Sequence, residues 1–84
     1  MSNLLESARE RTVRAQREKF PKLFDQLEEK ISLASGDGDT QILVYQEDMA
    51  EHGVLQVVKM YVNSYFFRLG FTVRDEDFFV VISW

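Results

Sequence analysis

Apolar residues recur at helical spacing through Phe20, Leu23, Phe24, Leu27, Ile31 and Ala34, which predicts an amphipathic helix over 20–34. Upstream, Leu5, Ala8, Thr12, Val13 and Ala15 make a weaker stripe that arginines interrupt. Asn3 followed by Glu6 has the spacing of a capping box, so a first helix starts near residue 4. Pro21 stands between the two stripes. It lacks an amide donor and disfavours helical geometry at Phe20, yet it suits the first turn of a new helix. One unbroken helix over 4–34 would be about 46 Å long, whereas a compact chain of this length has a radius of gyration of about 12 Å. Residues 1–19 therefore bend at Pro21 or project from the body as a basic helical arm.

Downstream, Ser35-Gly36-Asp37-Gly38-Asp39-Thr40 reads as a stop and turn, with Gly36 placed to take the left-handed, helix-ending conformation. Ile42-Leu43-Val44-Tyr45 is a short strand. Asp48 and Glu51 form a second capping box, which opens a helix running to Leu69. Val54, Leu55, Val58, Tyr61, Val62, Tyr65, Phe66 and Leu69 cover most of its surface, and Gln56, Lys59 and Asn63 share a narrow polar face. Gly70 ends that helix. A hairpin follows, from Phe71-Thr72-Val73-Arg74 through the acidic turn Asp75-Glu76-Asp77 into Phe78–Trp84.

The pattern predicts a single α+β domain over 1–84: helix (broken near Pro21)–strand–helix–strand–strand. The last strand is apolar on both sides, with Phe78, Val80, Ile82 and Trp84 against Phe79 and Val81, and so belongs in the centre of a three-stranded antiparallel sheet. With both helices on one face, Tyr45, Phe79 and Val81, and with them Leu43, lie on an open face. Exposed apolar patches of this kind mark interaction surfaces. Tyr45, Phe79 and Val81 are accordingly the expected interface of a homo-oligomer.

Eighty-four residues allow one domain, and eleven aromatic residues argue for a folded core over a disordered tail. The absence of cysteine rules out a disulfide framework and thiolate chemistry. The longest apolar run, Phe78 to Ile82, is five residues, far short of a membrane span. The N-terminus has no basic-then-apolar signal pattern, and the expected setting is intracellular, with no membrane partner. Charge divides the chain more sharply than the net value of −4 implies. Residues 9–22 hold six basic groups against two acids, whereas residues 35–84 hold three basic groups against eight acids. On a helical wheel Arg11, Arg14, Arg17 and Lys22 fall within about 140° of arc, a face that could meet a protein partner or track a nucleic-acid backbone. No aromatic residue interleaves these arginines, and the chain as a whole is acidic.

Catalytic constellations are scarce. His52 is the one histidine, and Asp48, Glu51 and His52 converge poorly as metal ligands. Counted from Asp37, the twelfth residue of a calcium loop would be Asp48, across a predicted strand, and no phosphate-binding Gly-x-x-x-x-Gly-Lys run occurs. The acids of 47–51 and 75–77 are too few for a DNA mimic. No catalytic residue, metal or cofactor is predicted, and no enzyme activity; small-ligand binding at an oligomer interface stays open.

The helix closing in Phe67-Arg68-Leu69-Gly70-Phe71-Thr72-Val73, the hairpin ending Val81-Ile82-Ser83-Trp84, and the upstream Leu27-x-x-Lys30-Ile31-x-x-Ala34-x-Gly36 together resemble small virus- and phage-encoded α/β accessory proteins. The resemblance covers about residues 23–84 and contains no catalytic motif. It implies a protein that acts by binding, in the host cytoplasm or on the virion. The expected role is thus a self-associating protein-interaction module, with nucleic-acid binding through the basic N-terminal helix as the alternative.

Overall fold

The computed structural model describes residues 2–84. At the proline the chain breaks as its chemistry requires. Helix α1 (Ser2–Lys19) stops, Phe20 takes φ −137° and ψ 65°, and α2 (Pro21–Gly36) begins with proline in its first turn. Strand β1 (Gln41–Tyr45) leads directly into α3 (Gln46–Ala50), and α4 (Leu55–Arg68) into the hairpin of β2 (Thr72–Asp75) and β3 (Phe79–Ser83).

The sheet has the order β1-β3-β2 and is antiparallel throughout, as the hydrophobicity of the last strand predicts. Val80 and Ile82 face the helices, opposite Val44 and Ile42 of β1. Phe24, in the first turn of α2, meets Tyr65 and Phe66 of α4 with ring centroids 4.6 and 5.9 Å apart. Leu23, Leu27, Met49, Val58 and Val62 complete a core from which water is excluded. Burial of side chains this large contributes about 2 kcal/mol apiece, enough to make this cluster the source of the fold's stability. Two residues expected on the inner side of the last strand do not join it. Phe78 precedes β3 and is 74% exposed, and Trp84 follows it, half-exposed, with its ring against Phe71.

Helix ends differ from the sequence reading in three places. Gly36 stays helical, and Gly38 takes the positive φ (88°) instead. There the Asp39 amide reaches the Ala34 carbonyl and the Gly38 amide reaches that of Ser35, a capping motif that needs a left-handed residue two positions later than anticipated. The same motif closes α4 at Gly70, where Phe71 packs its ring on Phe66. Asp48 does not cap a long helix. It lies inside α3, whose single turn buries Met49, and no helix continues over 51–54 before α4 starts. Gly53 lies in this break, and the Phe20 ring sits 3.2 Å from where a side chain there would begin. Asn3 likewise lies within α1, which already includes Ser2.

Helix α1 folds back along α4 in the opposite direction. Phe20 packs edge-on to Tyr61 at 5.5 Å, and the Gln16 side-chain amide donates to Ser64 Oγ at 2.7 Å. Val13 is half-buried against the core, and Arg9 lines a groove shared with Leu69 at the end of α4. The first turns of α1 extend past that end, leaving Leu4 and Leu5 exposed. Residues 2–19 are therefore neither wholly packed nor wholly projecting. No helix among the described residues is long and apolar enough to cross a membrane.

Candidate interaction groove

Helical spacing places Arg9, Val13 and Arg17 in one line along α1, with Glu10 and Arg14 beside them. Across from this line, the last turn of α4 presents Phe67 and Arg68, followed by Leu69, and Gly70 turns the chain away. The two elements enclose a groove of about 700 Å³, floored in part by Tyr65.

Arg17 anchors the groove's inner end. Its guanidinium donates to Glu28 Oε1 at 2.8 Å and also to Asp25, both on α2. The same Glu28 oxygen accepts the Tyr65 hydroxyl at 3.1 Å, so one carboxylate ties α1, α2 and α4 together. The hydrogen bond from Glu28, then that from Asp25, raises the Arg17 pKa from an already basic value, and this side chain is a permanent cation. Burial, reinforced by the bond to Glu28, pushes the Tyr65 phenol upward and keeps it neutral. With Arg17 and Glu28 both partly in water, the ion pair itself is worth about 1 kcal/mol or less.

The outer part of the groove is different. Arg9, Arg14 and Arg68 make no ion pair among the described residues, and Glu10 is the one carboxylate that lines the groove with them. Arg68 Nε donates to Ser64 Oγ at 3.3 Å, which steadies its stem without neutralising it. Between these guanidinium groups stand Phe67, 73% exposed, and Leu69, 49% exposed. An exposed aromatic ring flanked by free guanidiniums suits a ligand that combines carboxylates with an apolar anchor.

Of the basic residues singled out by periodicity, the structure brings Arg14 and Arg17 into this groove and leaves two outside. Arg11 is exposed and folds its Nε back to the Ser7 carbonyl at 3.3 Å. Lys22 belongs to α2, beyond the bend at Phe20, so a single helical wheel through all four residues does not apply. Sequence reasoning missed Arg9 and Arg68. Arg9 carries a signal, since it lies one turn from Val13, but Arg68 is brought near only by the packing of α1 on α4.

Tyr45, Phe79 and Val81 do share the sheet face turned away from the core. Val81, however, is 3% exposed, lying between Leu43 and Arg74 in the register, and so cannot serve as a contact. Phe79 is half-buried against Tyr45, their centroids 6.0 Å apart, which leaves Tyr45 as the main exposed apolar side chain there. Cross-strand neighbours thus cover most of what a partner would have covered. No protein-family model matches the chain, and no curated protein or solved structure matches it either.

Proposed function

We propose that this chain is a non-enzymatic protein-binding module whose α1–α4 groove takes an acidic segment of a partner protein carrying an aromatic or aliphatic anchor. The supporting observation is the set Arg9, Arg14 and Arg68 around exposed Phe67 and Leu69, with a single carboxylate lining the groove. Charge-assisted bonds from guanidinium to carboxylate supply direction, and burial of the two apolar side chains supplies affinity. Nucleic acid fits less well. A phosphate backbone calls for a continuous basic stripe, whereas Arg17 is already neutralised and Arg11 and Lys22 lie outside the groove. For a virus-encoded chain the partner is a virion or host protein, and the place of action is the virion or the host cytoplasm.

Fluorescence anisotropy with a labelled octapeptide of alternating aspartate and phenylalanine tests the reading. Binding should weaken about tenfold, or 1.4 kcal/mol, when Arg9→Glu and Arg14→Glu are combined. A short single-stranded oligonucleotide should not compete. An oligonucleotide that binds more tightly than the peptide would replace this reading with the nucleic-acid one, and failure of both probes would end it.

A further inference from the structure

We infer that the occupant of the groove is a second copy of this chain: the β2–β3 turn of one molecule docks between α1 and α4 of the next, head to tail. This inference rests on the groove reading above and names its partner.

The turn has the chemistry that the groove calls for. Asp77 is exposed and makes no ion pair among the described residues, and the neighbouring Phe78 is 74% exposed. A carboxylate beside an exposed ring therefore faces outward at one site, and guanidinium groups beside an exposed ring face outward at the other. The turn is also held ready. The Glu76 amide donates to the Phe79 carbonyl at 2.9 Å, the Gln46 amide to the Phe78 carbonyl at 3.1 Å, and the Gln46 side chain to the Asp77 carbonyl. With its backbone fixed from both sides, the turn loses little conformational freedom on docking.

One molecule cannot satisfy itself. Asp75, at the start of the turn, is held by Lys59 of α4 at 2.8 Å. Lys59 lies about 13 Å along the helix axis from Arg68, and the turn extends away from the groove. The two sites thus sit at different levels along α4. Each end also repels its own kind. Glu47 and Asp48 of α3, with Glu51 just after it, follow the strand that meets the turn through Gln46, while the groove holds one acid among four arginines. A symmetric pairing of groove with groove or turn with turn juxtaposes like charges, whereas groove with turn joins opposite ones. Such a heterologous contact generates rings where the rotation closes and open chains where it does not. A buried Phe ring adds about 200 Å², which puts the contact at the small end of protein interfaces, so assembly should be weak and salt-sensitive.

Sedimentation velocity over a concentration series tests this with two variants altered only at exposed positions. The turn variant combines Asp77→Lys with Phe78→Ser, and the groove variant combines Arg9→Glu with Arg14→Glu. Wild type should gain mass with concentration and lose it in about 0.5 M salt, and each variant alone should stay monomeric. An equimolar mixture of the two should give a one-to-one pair and nothing larger, because each supplies one intact half. Three results would overturn the inference: a wild type that is monomeric up to about 1 mM (a Kd that weak corresponds to about −4 kcal/mol), a variant that assembles like wild type, or a mixture that does not pair. The turn variant keeps its groove, so the acidic octapeptide separates the two readings. Peptide binding without self-association defeats only the head-to-tail contact, and loss of both defeats the groove as well.

Discussion

Helices α1 and α2 meet at one bend and are of similar length, 18 and 16 residues, but they are attached to the body by different physics. Helix α2 drives Leu23, Phe24 and Leu27 into the core, each no more than 2% exposed. None of the side chains described on α1 is fully buried, and it is held by half-buried Val13 and by the polar contacts of Gln16 and Arg17. Hydrophobic burial is large and insensitive to salt, whereas partly exposed ion pairs are small. The difference separates architecture from surface. Helix α2 is needed for the fold, while α1 adds little stability and presents Arg9 and Arg14, which make no ion pair among the described residues.

The strongest way to break this contrast lies in α2. Phe24→Ala removes the ring that joins α2 to Tyr65 and Phe66 and should cost about 3–5 kcal/mol in urea denaturation. A loss below about 2 kcal/mol would show that α2 is not the anchor. A smaller effect is expected where α1 joins the body. Arg17→Ala removes its bonds to Asp25 and Glu28 and should cost about 1 kcal/mol. Hydrogen exchange should then accelerate in α1 but not in α2. If both helices lose protection together, they form one cooperative unit and the contrast fails. The smallest effect belongs to the overhanging turns, where Leu4→Ser combined with Leu5→Ser should move the thermal midpoint by an amount equivalent to less than about 0.5 kcal/mol. A larger drop would mean that these leucines pack against the body.

Much of the architecture was legible in the residues themselves. The apolar stripe from Phe20 to Ala34, the missing amide of Pro21 and the two-sided hydrophobicity of Phe79–Ile82 are local properties, and each led to the correct element or strand position. The split between α3 and α4 was harder to see. Asp48 and Glu51 have capping spacing, and the close approach of Phe20 to Gly53 in the break comes from more than thirty residues away. Val81 was misjudged for a related reason. Alternation assigns it correctly to the outer face, but its burial depends on Leu43 and Arg74 in neighbouring strands.

The site divides along the same line. Sequence alone determined that the N-terminal helix carries surplus positive charge, that the second half is acidic, and that Pro21 must break the helix, because composition and backbone chemistry belong to each residue. Only the tertiary structure decided which charges remain available. The bend at Phe20 set Arg17 against Glu28 and Asp25 of α2 and carried Lys22 out of line with α1, and packing α1 on α4 brought Arg68 and Phe67 beside Arg9 and Arg14. Those choices depend on distances between residues far apart in the chain, which no local pattern encodes.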